Sequence, residues 1–272
     1  MFLSVDVGNT QTTLGLFENE GQVLRQWRMA TDRTDTSDEL HERLYGYFQM
    51  FGLDLTAVDY VAIASVVPIL AQSWQRMVRK GLEIEPLMID ATRDCGIPIN
   101  MPDPKQVGAD RIANGLAALT TYGAPVIVVD FGTATNIDVV DAAGTFRGGA
   151  IMPGLLLSAN SLFSRAAKLS SVPLVVPPHA LGDSTETAVQ SGIVIGAAAQ
   201  AEGLVERIQQ ELAAEGTNVP RATVVGTGGY SEVIAEATDL FDALDPDITI
   251  RGIYQIWRHA VEKHEAAKKT AE

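Results

Sequence analysis

Three polar, glycine-bearing segments each follow a short apolar run. They are Asp6, Val7, Gly8, Asn9, Thr10, Gln11, Thr12 and Thr13; Asp130, Phe131, Gly132, Thr133, Ala134 and Thr135; and Gly226, Thr227, Gly228 and Gly229. At the C-terminal end of a strand, such a segment suits phosphate. Glycine lets backbone N–H groups approach an anion, Thr and Asn side chains add donors, and a strand-end Asp holds a cation. Each segment alone reads equally well as a tight turn, but the three together point to nucleotide chemistry. A fourth segment, Gly108-Ala109-Asp110-Arg111, sets a carboxylate beside a guanidinium at the start of a predicted helix. The carboxylate is a candidate general base toward an alcohol, and the planar guanidinium suits a substrate carboxylate or phosphate, or else a structural ion pair. Neither a lysine-bearing P-loop nor a Gly-x-Gly-x-x-Gly run occurs, so another phosphate-binding architecture is needed. His41, His179, His259 and His264 lack metal-ligand spacing, and Trp27, Trp74 and Trp257 read as packing residues.

The elements that position these segments alternate between strand and helix. Phe2 to Val5, Leu14 to Phe17 and Gln22 to Met29 read as strands, and Thr36-Ser37-Asp38-Glu39 is a capping-box signature before a helix over Leu40 to Phe51. The β-branched run Tyr60 to Val67 predicts a buried strand, and Pro68 opens a helix that Gly81 ends. After a proline-punctuated loop over Gly96 to Val107, the spacing predicts a helix over Ala109 to Tyr122. The opening pattern then returns: Pro125 to Val129 and Ile137 to Val140 are strands, Asp130 matches Asp6, Gly132 matches Gly8, and turn glycines Gly21 and Gly144 follow. A duplicated α/β subdomain is predicted, with a long helical stretch from Thr185 to Leu212 in the second copy and a strand over Ala222 to Val225.

Composition narrows the function classes. The chain has 272 residues, 46% of them hydrophobic, enough for one large or two moderate cores. A net charge of -14 argues against a nucleic-acid partner, which needs clustered Lys and Arg. The single Cys95, the absence of a leader-like start and the absence of an apolar run near about 20 residues predict a cytoplasmic protein with no membrane partner.

The repeated Asp-x-Gly-Asn/Thr segment with the later Thr227-Gly228-Gly229 resembles the phosphate and adenosine motifs of the actin and sugar-kinase superfamily. Within it, Asp6 to Thr10, Gly108 to Arg111, Asp130 to Thr135 and Gly148-Gly149-Ala150-Ile151-Met152-Pro153-Gly154, in that order, look like type III pantothenate kinase. Residues 164–169, 185–192 and 245–252 extend the resemblance over nearly the whole chain.

The resemblance implies an α/β fold of duplicated actin-like (ribonuclease H-like) ATPase lobes, with mixed sheets flanked by helices and an interlobe cleft. The lobes are expected at 1–117 and 118–258, with a charged, fraying tail at 259–272. It implies transfer of the ATP γ-phosphate to pantothenate, the first step toward coenzyme A, by an enzyme that is a homodimer. Asp6 would hold Mg²⁺, the segment Asp6 to Thr13 with Gly132, Thr133, Gly228 and Gly229 would bind ATP, and Asp110 would be the catalytic base. Asp130 would ligate a monovalent cation, K⁺ or NH₄⁺. Gly108, Ala109, Asp110, Arg111, Thr185 and Met101 would contact pantothenate, although Thr185 on its own reads equally as a helix cap. Met101 stands where the family commonly has Tyr, and Asn136 where a second Thr is usual. Loss of a phenolic hydroxyl costs a neutral hydrogen bond, about 0.5 to 1.5 kcal/mol, and raises KM rather than abolishing turnover. A non-catalytic regulator of the same fold and a kinase with another acceptor are the competing readings; Asp6, Asp110 and Asp130 together favour the enzyme, and only the Gly108 to Arg111 segment speaks to the acceptor.

Overall fold

The computed structural model describes residues 1–18, 21–165, 171–217 and 219–271, so most of the 164–169 stretch lies outside the described residues. The chain divides into two compact units, Met1–Ala117 with Ile248–Glu272, and Ala118–Asp247.

In the first unit, β1 (Phe2–Val7), β2 (Gln11–Phe17) and β3 (Val23–Ala30) precede α1 (Ser37–Met50), β4 (Tyr60–Ser65), α2 (Pro68–Gly81), the two-residue β5 (Leu87–Met88) and the start of α3 (Ala109–Tyr122). The sheet order is β3-β2-β1-β4-β5, with β1 antiparallel to β2 and parallel to β4. β1 is central because its apolar residues are buried on both faces: Phe2, Leu3, Val5 and Val7 all lose their solvent contact. The predicted capping box starts α1, with Thr36 and Glu39 satisfying each other's backbone N–H, and the helix buries Leu40, Leu44 and Phe48. Pro68 opens α2, which buries Leu70, Trp74, Met77 and Val78 in the same core.

The second unit contains β6 (Val126–Phe131), β7 (Ala134–Val140), β8 (Phe146–Pro153), α4 (Leu155–Arg165), α5 (Thr185–Gln190), α6 (Gly196–Ala214), β9 (Thr223–Thr227), α7 (Ser231–Ala235) and β10 (Ala243–Leu244). Its sheet, read from the other edge, runs β8-β7-β6-β9-β10, and β6 is antiparallel to β7 and parallel to β9. The duplication therefore reaches the register. The first three strands have six, seven and eight residues in each unit. The ladder between the second and third strands is irregular at the same place, Leu16/Phe17 and Val139/Val140. Two mixed sheets of this kind make the actin-like ATPase fold that the sequence predicts.

α8 (Ile248–Ala271) departs from the sequence reading. The sequence sets a division at 258 and a fraying tail beyond it, whereas residues from Ile248 group with the first unit as one helix. Packing explains the return. Ile250, Ile253 and Ile256 are buried, Tyr254 stacks on Phe17 at 5.0 Å and Trp257 lies 4.6 Å from Phe2. Asp94 then holds the next turns, accepting from Lys263 Nζ at 2.7 Å and lying 3.0 Å from His259 Nε2.

A second correction concerns apolar length. A π-helical turn, Ser191–Ile195, joins α5 to α6 in one run, and Thr185–Ala214 is long and apolar enough to cross a membrane by length and composition. Its apolar character has a local use, since Val194, Ala198, Ala201, Val205 and Leu212 form part of the second unit's core.

Candidate active site

Asp6 and Asp130 do not open loops, as the sequence predicts, but sit one residue before the ends of β1 and β6. Each is locked between two neighbours in the sheet: Asp6 lies opposite Thr13 on one side and Ala64 on the other, and Asp130 opposite Asn136 and Thr227. A carboxylate on a doubly paired strand keeps its direction better than one on a loop. Thr13 and Asn136 thus occupy the same place in the two copies, and both offer a polar side chain to the strand that carries the Asp. The loops that follow are short, 8–10 in the first unit and 132–133 in the second, and each closes with a glycine N–H donated back across the turn: Gly8 to the Gln11 carbonyl and Gly132 to the Ala134 carbonyl, both at 3.1 Å. A Cβ on Gly8 would lie 2.8 Å from the Gln11 oxygen, so the first turn demands glycine.

The structure brings Gly108 and Asp110 to the same end of the first sheet as Asp6. The Val66 N–H, just past β4, donates to the Val7 carbonyl at 3.1 Å, and a Cβ on Gly108 would touch the Val66 side chain at 3.4 Å. Asp110 lies in the first turn of α3, accepting the Arg111 N–H at 2.8 Å. Burial raises its pKa above the ordinary carboxylate value of 3.8, opposed by that N–H and by the Arg111 guanidinium. α3 itself is braced by α8. Gly252 leaves no space for a Cβ against the Ala113 carbonyl, and the Thr249 hydroxyl donates to Asn114 Oδ1 at 2.7 Å. Met101, on the segment before α3, is partly buried.

In the second unit the remaining glycines converge on Asp130. Gly228 has φ +89°, and a Cβ there would collide with the Asp130 carboxylate and the Phe131 backbone. Gly154 is held by its N–H to the Thr133 carbonyl at 3.2 Å, and a Cβ on it would strike the Gly132 and Thr133 oxygens. Gly132, Thr133, Gly154 and Gly228 thus form one crowded cradle around the Asp130 strand end, with Gly229 beside it in sequence. Thr185 is not the cap of α5. Ser184 fills that position, with Thr187 completing the capping box, which leaves Thr185 exposed. Thr185 instead lines a mainly apolar cavity of ≈ 450 Å³ with Leu162, Ala188, Val189, Gly192 and Ile193.

Residues 2–207 match the sequence profile of the family described as type III pantothenate kinase. The chain belongs to the type III pantothenate kinase family. A type III pantothenate kinase of Roseiflexus sp. (strain RS-1) is 43% identical over 257 residues, covering 94% of this chain and 98% of the relative. That of Bacillus cytotoxicus is 38% identical over 266 residues, covering 97% and 99%. Among solved structures, a Campylobacter jejuni protein described as a Baf family transcriptional activator aligns with TM-score 0.60 at 16% identity, over 96% of this chain and 99% of its own, a likeness of fold alone.

Several features of this pantothenate kinase family member were not legible in its sequence motifs. Val66 links Gly108 to the Asp6 strand, and Asn114 and Thr249 tie the helix of Asp110 to α8; each joins residues far apart in the chain. The Thr185 cavity needs α4, α5 and the π turn together. Among the described residues no group of three or more His, Cys, Asp or Glu side chains forms a metal site.

Proposed function

We propose that the chain transfers the γ-phosphate of ATP to the primary hydroxyl of pantothenate, giving 4'-phosphopantothenate and ADP, the first step of coenzyme A biosynthesis. The observation that carries this reading is the repeated carboxylate: Asp6 and Asp130 at the same register of duplicated sheets, with a third, desolvated carboxylate, Asp110, at the end of the first sheet. Asp110 takes the hydroxyl proton as the oxygen attacks the γ-phosphorus, and its raised pKa brings its basicity nearer the working pH. The Gly8 to Thr13 segment donates hydrogen bonds to the phosphates, and Thr133, Gly132, Gly228 and Gly229 hold the nucleotide. Asp6 would hold Mg²⁺, and the ion would supply positive charge toward the transferred group. Asp130 would ligate K⁺ or NH₄⁺.

Arg111 is the partner for the pantothenate carboxylate, because its planar fork matches carboxylate geometry. Met101 packs against the substrate without the hydroxyl of the family's usual Tyr. Thr185, the hydroxyl at the wall of a mainly apolar pocket, is a further candidate contact for pantothenate. The enzyme acts in the cytosol as a homodimer. Support for the dimer comes from large apolar residues exposed along β8 and α4: Ile151, Leu156, Leu157 and Leu162, the last of which also lines the Thr185 cavity.

Release of ADP by the purified chain with ATP and Mg²⁺ tests the reading. Turnover is expected with pantothenate and K⁺, to be weak when Na⁺ replaces K⁺, and to be absent with glucose or acetate as acceptor. Asp130→Asn is expected to lose the distinction between K⁺ and Na⁺. ATP binding without turnover on any acceptor would instead identify a regulator, and turnover on a different acceptor a kinase of changed specificity.

A further inference from the structure

The connection between β3 and α1 carries a cation for which the described residues provide no salt-bridge partner. Thr31 fastens this connection to the first phosphate loop twice: its N–H donates to the Thr10 carbonyl at 2.9 Å, and its hydroxyl pairs with that of Thr12 at 2.9 Å. Two residues on, exposed Arg33 reaches back across the loop, and its Nη2 donates to Asn9 Oδ1 at 3.1 Å. Asn9 belongs to the turn between β1 and β2 that begins with Gly8.

The acidic residues around Arg33 have other duties. Asp32 accepts the N–H and hydroxyl of Thr34 at 2.9 and 2.7 Å. Asp35 is buried in a two-pronged pair with Arg43, both contacts 2.7 Å. Glu39 accepts from Thr36 as half of the capping box. Among the described residues, no carboxylate forms a salt bridge with Arg33, and a neutral amide oxygen is its hydrogen-bond acceptor. In a chain with 34 acidic and 20 basic residues, a guanidinium held beside a phosphate loop without a counter-ion among the described residues is conspicuous. Asn9 uses up one N–H of the fork and leaves the others for an incoming group.

We propose that Arg33 is a nucleotide-binding residue that engages the polyphosphate of ATP, with Asn9 holding its guanidinium over the loop. The inference rests on the reading of residues 6–13 as a phosphate loop and adds a charged contact from outside it. Arg33 offsets part of the negative potential that the acidic chain presents to an incoming tetra-anion. Its planar fork suits two phosphate oxygens at once, which a lysine ammonium meets only as a point charge.

The test is steady-state kinetics of Arg33→Ala and Arg33→Lys in the full chain, with Asp6→Asn as control. For Arg33→Ala, KM for ATP is expected to rise about tenfold, the size of a charge-assisted contact reduced by exposure, while KM for pantothenate changes less than about twofold. Arg33→Lys should fall between the wild type and Arg33→Ala. The KM for ATP of the wild type should also climb more steeply with added salt than that of Arg33→Ala. An unchanged KM for ATP in Arg33→Ala, with Asp6→Asn inactive, overturns the role of Arg33 and leaves the phosphate loop standing. Full activity in Asp6→Asn removes the phosphate loop itself and the inference with it. Equal rises in both KM values with a lowered Tm would make Arg33 a structural residue and overturn the proposal too.

Discussion

A carboxylate that is to serve as a base has to be buried enough to want a proton and exposed enough to meet a substrate. Asp110 meets both conditions: it is partly buried at the start of α3, and burial lifts its pKa while Arg111 restrains the rise. The direction of this shift has two consequences of opposite sign. A raised folded-state pKa means that the native chain binds a proton more tightly than the unfolded one. Stability therefore falls as pH rises from the unfolded value toward the folded one, and the whole cost is present above the folded pKa. Activity behaves in reverse, since only the ionised form accepts a proton. Asp110→Asn is thus expected to cut kcat by at least about 100-fold while Tm at neutral pH stays level or rises. The acid limb of kcat/KM in the wild type should lie above the ordinary carboxylate pKa. Thermal scans and a pH–rate profile check both arms; a lower Tm with retained turnover would contradict the assignment. As a candidate base this residue was readable from Gly108-Ala109-Asp110-Arg111, but its desolvation was not, because Val66 and α8, which pack around that segment and its helix, are far away in sequence.

The two hairpins that carry Asp6 and Asp130 match in strand length and register but differ at one pair of positions. In the first unit the hydroxyls of Thr12 and Thr31 satisfy each other, Thr31 directly following β3. In the second unit the corresponding residues are Thr135 and Gly154, Gly154 directly following β8. The close approach of Gly132 and Thr133 excludes any side chain at 154, so the buried Thr135 hydroxyl has no hydrogen-bond partner among the described residues. The same substitution should then act oppositely in the two copies. Thr12→Val breaks a hydrogen bond and is expected to destabilise by about 1 kcal/mol, whereas Thr135→Val removes an unsatisfied polar group and is expected to stabilise by about 1 kcal/mol. Chemical denaturation of the two variants decides it; equal effects would mean that the hairpins are not equivalent in this respect. At this scale the sequence was most readable. Periodicity placed α3 at its observed bounds, and the capping box marked the start of α1. The two-residue strands β5 and β10 and the π turn were not readable, because ladder pairing and helix continuity rather than local propensity define them.

Over the whole chain, the order of the segments is less simple than two lobes in succession. α8 closes the sequence yet packs with the first unit, because its isoleucines and aromatic residues find β1 and Phe17 there. Such a return depends on partners about 240 residues earlier and leaves no mark in local composition. The proposed association between copies rests on a similar feature. Ile151 is 65% exposed on the edge strand β8, and Leu157 is 53% exposed on the helix that follows it. Apolar side chains at a sheet edge and on the next helix invite a partner, and a second copy presents the same residues in return. Leu162 of that helix also lines the pocket of Thr185, the proposed substrate contact, so on the dimer proposal loss of the partner is expected to reach the substrate. Leu157→Glu places a charge on this face without disturbing the buried residues of α4, Leu155 and Ala159. The variant is expected to sediment as a monomer with a Tm within a few degrees of the wild type, and its KM for pantothenate should rise more than its KM for ATP. A Leu157→Glu protein that remains dimeric would move the interface to another face, and a monomer with unaltered KM for pantothenate would separate association from the Thr185 cavity.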